Sequence, residues 1–227
     1  MITMLNCDCL GYMKSLPDGA YNLAIVDPPY FQAYSKKQYT GAAVTRKGVK
    51  RNQFESKEWE IPGDEYFNEL KRVSQNQIVW GANYFNCFDT GGAIVWDKEN
   101  DSSTFSNCEI ASCSFGVGVF VFRFAWNGMI QGDIKNKETK IHACQKPVAL
   151  YKWLLSRYAK PGDRILDTHG GSGSIAIACH DLGYDLTLME LDADYYAAAC
   201  KRYKEHALQE TLFTAEEIRQ PIQGELI

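Results

Sequence analysis

Four consecutive residues, Asp27, Pro28, Pro29 and Tyr30, follow directly on the apolar run Leu23 to Val26 and carry the sharpest chemical signal in the chain. Two prolines after a strand end ladder pairing and fix φ, so the turn holds the flanking Asp and Tyr rigidly. A carboxylate and a backbone carbonyl are acceptors, and a phenol ring offers a face for stacking. That set suits an exocyclic amine on a flat heterocycle: Asp27 and the Pro28 carbonyl can take the two amino hydrogens while the ring of Tyr30 lies on the base. The lone pair of such an amine is delocalised into its ring, so it must be held in line with its electrophile. A strand that merely ends in a Pro-Pro turn is the plain alternative for the tetrapeptide alone.

The second signal runs from Arg164 to Ser174, RILDTHGGSGS, an apolar stretch entering a glycine-rich turn and then a helical pattern. Glycines there allow a tight turn and close approach of backbone to a ligand. Glu190 follows 17 residues after Gly173, where an acid can accept from both hydroxyls of a ribose. The run Gly171 to Ala176 also satisfies the looser dinucleotide fingerprint, so by itself it permits a nicotinamide dinucleotide as well as S-adenosylmethionine.

These residues need elements to position them. β-rich apolar runs predict strands at Leu23 to Val26, Gln77 to Trp80, Ala93 to Trp96, Glu109 to Ser114, Val119 to Phe122, Arg164 to Asp167 and Asp185 to Leu188. Helical spacing is clearest at Pro147 to Tyr158, Ser174 to Leu182 and Asp194 to His206. Alternation of the two predicts an α/β class, doubly wound, with a mostly parallel seven-stranded Rossmann-like sheet. Asp27, Asp167 and Glu190 then all fall at carboxyl ends of strands, the edge where such sheets bind ligands.

At 227 residues, with 45% hydrophobic and 23% charged residues, the chain has the length and balance of one globular domain, 1–227. No apolar run approaches the ~20 residues of a membrane span, and MITMLNCDCL is not a leader, which predicts a cytoplasmic protein with no membrane partner. Eight cysteines contain no CxxC pair, so reduced core thiols are expected, and no metal site. The net charge of −4 is unevenly spread: residues 32–57 hold seven basic residues (Lys36, Lys37, Arg46, Lys47, Lys50, Arg51 and Lys57) against Glu55 alone. Basic side chains concentrated in the polar loop 32–63 can neutralise phosphates on an otherwise acidic protein; a solvated loop without a partner is the alternative. A shorter polar insertion spans 123–141, and a weakly patterned tail spans 208–227.

Together with His142-Ala-Cys-Gln-Lys146-Pro147, the two motifs resemble the β-class amino-methyltransferases, in which Asp-Pro-Pro-Tyr precedes the glycine motif. The resemblance runs from Asp8 to about Tyr203, and DTHGGSGS at Asp167 to Ser174 stands where the family usually has DPF-x-GSGT. It implies a circularly permuted methyltransferase fold, S-adenosylmethionine as cofactor, and transfer of its methyl group to adenine N6 in double-stranded DNA, with the base flipped out. It assigns Asp27, Pro28, Pro29 and Tyr30 to catalysis, and Asp8, Cys9, Asp27, Lys146, Asp167, Gly171, Ser172, Gly173 and Glu190 to the cofactor. Thr168-His169 replaces the family's Pro-Phe, and His169 is expected as a satisfied pocket wall.

Target recognition in this family lies before the glycine motif, here 123–141, where Arg123 and Lys135, with Lys137 and Lys140, are set against Asp133 and Glu138. Nineteen residues cannot read many base pairs, so the site should be short or the reading shared in a homodimer. N4-cytosine or RNA remains open as target, and so does a non-catalytic nucleic-acid-binding module on the same fold. A nicotinamide-linked oxidoreductase leaves Asp-Pro-Pro-Tyr and the basic loop unexplained.

Overall fold

The computed structural model describes residues 1–30, 59–88, 91–100, 106–127 and 130–209. The basic loop from 32 to 57 and the tail beyond 209 lie outside these described residues. In chain order the elements are β1 (Ile2–Leu5), α1 (Cys9–Lys14), β2 (Tyr21–Val26), α2 (Asp64–Val73), β3 (Ser74–Trp80), α3 (Ala82–Phe85), β4 (Ala93–Asp97), β5 (Cys108–Cys113), β6 (Val119–Arg123), β7 (Trp126–Asn127), β8 (Ile130–Gln131), α4 (Val148–Tyr158), β9 (Arg164–Asp167), α5 (Ser174–Leu182), β10 (Asp185–Met189) and α6 (Ala193–Ala207).

Eight strands form one sheet in the order β1-β10-β9-β2-β3-β5-β4-β6, with β7 and β8 as a separate hairpin. Five of the seven neighbouring pairs are parallel, and β5 runs antiparallel to both β3 and β4. The doubly wound α/β reading holds, but the sheet has one strand more than the seven expected. The addition is β1: four half-buried residues, Ile2–Leu5, give no alternation to detect, and their pairing with β10 is settled only by tertiary context.

Both faces of the sheet are covered. Along β2, Leu23 and Ile25 join a core with Leu150, Leu154 and Leu155 of α4 and Ile175 and Ala178 of α5. Ala24 and Val26 point the other way, onto Met13 of α1 and Tyr66, Leu70 and Val73 of α2. The period of two along the strand thus feeds two cores. Each fully buried leucine of α4 contributes about 1.5–3 kcal/mol relative to exposure.

The winding reverses between β2 and β9. From β2 the chain passes through α2 to β3 on one side; from β9 it passes through α5 to β10 on the other, while β2 and β9 pair directly at Leu23↔Ile165 and Ala24↔Leu166. Such a reversal opens a crevice at the strand ends, where ligands bind in this architecture. Asp27 follows β2 and Asp167 ends β9 at that crevice. Among the described residues, no helix is long and apolar enough to cross a membrane.

Candidate active site

The carboxylate of Asp27 is the centre of the site. Its Oδ2 accepts from Lys146 Nζ, whereas its Oδ1 is buried with no hydrogen-bond partner among the described residues. Lys146, whose side chain is only 3% exposed, also contacts Glu109 Oε2 at 2.9 Å. Glu109 in turn takes Lys98 Nζ at 2.5 Å through Oε1. Burial pushes the Asp27 carboxyl above its ordinary range, with Lys146 pulling it back and the charge of Glu109 adding to the rise. Burial also opposes ionisation of Glu109, but the ammoniums of Lys146 and Lys98 overcome it and hold Glu109 down to about 2. Lys146 is held above its ordinary value, against burial, by Asp27 and Glu109. The result is two acids and two bases interleaved, with one acceptor oxygen left over.

Tyr30 lies beside this carboxylate, stacked on Tyr84 with ring centroids 4.4 Å apart and planes tilted by 3°. Tyr84, 52% exposed, is carried by the single turn α3, which opens at Gly81. Gly81 has φ 73, and a Cβ there would stand 2.6 Å from Tyr30 Cδ1. A residue without a side chain is therefore required both by the backbone and by the tyrosine.

The glycine turn after β9 is shaped by Glu190. Its Oε2 accepts from Gly171 N at 2.7 Å and its Oε1 from Asp192 N at 2.9 Å. Gly171 and Gly173 have φ 50 and 68, the left-handed region that favours glycine. Ser172 Oγ and Ser174 Oγ are 3.0 Å apart, and Ser174 also donates to the carbonyl of Lys146, so the turn and Lys146 are tied. Asp167 accepts from His169 N at 3.0 Å, and burial drives its carboxyl up to about 8. Burial lowers His169 to about 4, so its ring is neutral at neutral pH. Its Nδ1 is 2.9 Å from Thr168 Oγ1, which is 2.6 Å from Tyr66 Oη. That chain satisfies the Thr-His pair without an aromatic at the family's usual place.

Asp8 caps α1, accepting from Gly11 N at 2.7 Å and Leu10 N at 3.4 Å, and Cys9 opens that helix. The segment lies against the end of β10, because Glu190 N donates to Leu5 O and Asn6 Nδ2 to Glu190 O. In the insertion, Arg123 ends β6 in an exposed pair with Asp97 at 3.5 Å, and Lys135 is exposed beyond β8. Glu138 turns inward instead: Arg202 Nη2 donates to it at 2.6 Å, and the Nη1 of the same arginine reaches Ser172 O and Ser174 Oγ at 2.9 Å. The insertion is thereby braced against the glycine turn. Of the eight cysteines, Cys113 and Cys179 are buried, but Cys108 and Cys144 are exposed and not core thiols.

Asp27, Tyr30, Lys146, Asp167, Gly171, Ser172, Gly173 and Glu190 are thus brought to one edge of the sheet. Sequence reasoning misses Glu109, Lys98 and Tyr84. A lone acid within the apolar strand CEIASC is the one signal that could have pointed to Glu109. The glycine turn, the first turn of α5 behind it, and the acids Asp167 and Glu190 fit a ligand carrying a carboxylate, a cationic centre and ribose hydroxyls. S-adenosylmethionine has all three.

Comparison with known proteins gives the family and the fold. A family model described as DNA methylase, N6/N4 type, matches residues 32–201. The type II methyltransferase M.HinfI of Haemophilus influenzae is 26% identical over 248 residues, covering 89% of this chain and 68% of that protein. The type II methyltransferase M2.MboI of Moraxella bovis is 20% identical over 237 residues, covering 87% of this chain and 86% of that protein. Among solved structures, the M1.HpyAVI–SAM complex superposes with a TM-score of 0.55 at 19% identity, covering 89% of this chain and all of that one. The cytosine-N4-specific PvuII DNA methyltransferase gives 0.57 at 12%, covering 96% and 89%. With the family model spanning most of its length, the chain belongs to the N6/N4 DNA methylases, the S-adenosylmethionine-dependent amino-methyltransferases of DNA.

Proposed function

We propose that the chain methylates N6 of adenine in double-stranded DNA, with Asp27 as the acceptor that orients the amine. The observation that carries this reading is Asp27 Oδ1, a buried carboxylate oxygen without a partner among the described residues, next to a stacked tyrosine. A buried acceptor left unpaired costs about 1–3 kcal/mol, a cost that an incoming amino N–H offsets. The Asp form of the motif favours adenine over cytosine by resemblance. Bound at the glycine turn, S-adenosylmethionine supplies an electrophilic methyl group. The chain's own part is positional: Asp27 Oδ1 and the Pro28 carbonyl take the amino hydrogens, and Tyr30 supports the ring of a base flipped out at a cost of a few kcal/mol. Asp27 acts as a carboxylate, so activity is present above its raised pKa and is lost as pH falls through it. Asp8, Cys9, Asp167, Gly171, Ser172, Gly173 and Glu190 serve the cofactor, Glu190 on the ribose. Transfer of labelled methyl groups to duplex DNA, with digestion to nucleosides, tests the reading: N6-methyladenine is expected. N4-methylcytosine as the product, or label in RNA alone, overturns it.

Asp167 gives a pH dependence. Protonated below about 8, it must ionise to face a cationic ligand. Cofactor affinity should therefore rise with pH, at most tenfold per unit, and level off above about 8. Calorimetry in buffers of different ionisation enthalpy should show a proton released on binding near neutral pH; no release removes Asp167 from the cofactor's surroundings.

Lys36, Lys37, Arg46, Lys47, Lys50 and Arg51, with Arg123 and Lys135, are proposed to pair with phosphates. Alanine at Lys36, Lys37, Lys47 and Lys50 should weaken binding to many DNA sequences alike. The salt dependence should flatten by nearly one unit of slope for each phosphate no longer neutralised. An unchanged slope would leave the loop merely solvated.

A further inference from the structure

We propose that Glu109 and Lys98 are positioning residues for methyl transfer, holding Lys146 to one oxygen of Asp27 so that the other stays open to the amine. The inference rests on the reading of Asp27 given above. Neither residue belongs to the three motifs: Lys98 follows β4, Glu109 lies in β5, and Lys146 precedes α4. Three separate stretches of chain therefore converge on the carboxylate that follows β2.

One ion pair would neutralise Asp27, so the second pair needs its own explanation. A buried ammonium facing a single carboxylate maximises its attraction by bridging both oxygens, which would fill the acceptor the amine requires. Glu109 Oε2, 2.9 Å from Lys146 Nζ, supplies an opposing pull, and the ammonium settles between the two acids, on Asp27 Oδ2 alone. Lys98 takes the other oxygen of Glu109 at 2.5 Å and keeps Glu109 from offering both to Lys146. The Trp80 ring, 5.3 Å from the same ammonium, closes its remaining side. Two acids and two bases leave no net buried charge. Tyr30, Tyr66, Tyr151, Cys144, Asp167 and Lys140 complete the titratable surroundings. The phenols are pushed up by burial and stay neutral across the working range, and Lys140 is lowered by it. Asp167, driven up by burial, also feels the charges of Asp27 and Lys146, so its own carboxyl signal is followed beside that of Asp27 in each variant.

The test uses the full-length protein, single-turnover transfer to duplex DNA as a function of pH, and the titration of Asp27 in protein labelled with 13C at aspartate carboxyls. In Glu109→Gln, Asp27 should titrate at lower pH, since a negative neighbour is gone, yet transfer should fall tenfold or more at every pH because the released ammonium covers Oδ1. Charge alone would extend activity to lower pH without lowering the plateau, and a packing defect would not shift the titration downward. The double variant Glu109→Gln, Lys146→Met should transfer faster than Glu109→Gln above the Asp27 midpoint, because the covering group is removed. Transfer by Glu109→Gln within twofold of wild type, or a double variant no faster than the single, overturns the proposal. If Glu109→Gln does not fold, Lys98→Met decides: the Asp27 midpoint moves up by more than it does when Lys98→Met is added to Lys146→Met, where only the charge of Lys98 is lost, and an equal rise in the two backgrounds overturns it. Asp27→Ala separates the two readings. Inactive Asp27→Ala beside fully active Glu109→Gln defeats this inference alone, whereas active Asp27→Ala defeats the role of Asp27 itself.

Discussion

Gly81→Ala should lower the transfer rate by about 10- to 100-fold while leaving cofactor affinity unchanged. The added Cβ would stand 2.6 Å from Tyr30 Cδ1, and the backbone at φ 73 is unfavourable for alanine by about 1–2 kcal/mol. The backbone can keep its conformation only if Tyr30 moves, and Tyr30 can stay only if α3 moves with Tyr84. Either way the Tyr30–Tyr84 stack is broken and the base support shifts by a fraction of its own thickness. Misplacement of about 1 Å in a reacting group can cost about 10²-fold in rate. The glycine turn after β9 is held by Glu190 and Arg202 and takes no bond from Gly81, so the cofactor should bind as before. Single-turnover kinetics and calorimetry on one preparation check both halves. A wild-type rate would mean that the position of Tyr30 does not matter to transfer.

The elements that carry the chemistry are legible in the sequence because local pattern and tertiary role agree there. Helix α5 occupies Ser174 to Leu182, the span its pattern predicts, because a glycine bounds it at each end. The placement of Asp27, Asp167 and Glu190 at one sheet edge follows from strand ends alone. Strand β1 is not legible, since four half-buried residues carry no period, nor is α1, six residues whose start is marked only by the cap at Asp8. The polar half of the site is hidden for a different reason. Glu109 and Lys98 act on Asp27 across the sheet order β2-β3-β5-β4, and sequence spacing does not report which strands become neighbours. Tyr84 is hidden likewise, because nothing before folding says that α3 sets its ring parallel to that of Tyr30.

Lys146 stands where two parts of the site meet. The motif that contains it suggests a cofactor contact, while its ammonium stands between Asp27 and Glu109 and its carbonyl accepts from Ser174 at 2.8 Å. One residue thereby joins the glycine turn to the acceptor carboxylate.

The largest loss is expected at Asp27 itself. In Asp27→Ala the amine loses the acceptor that turns its lone pair toward the methyl group, and Lys146 keeps Glu109 as its counterion, so the fold should survive. Losses from removing one such oriented group run to about 10²- to 10⁴-fold, and the same range is expected here for the chemical step. Cofactor affinity should stay within about tenfold of wild type, because the glycine turn and Glu190 are held by bonds that do not involve Asp27. The direct measurement is single-turnover methylation by Asp27→Ala with cofactor and duplex DNA both saturating, beside wild type. A rate lowered at least about 10²-fold with the cofactor still bound agrees with Asp27 as the orienting acceptor; a rate close to wild type would mean that the Asp27-Pro28-Pro29-Tyr30 turn is only structural.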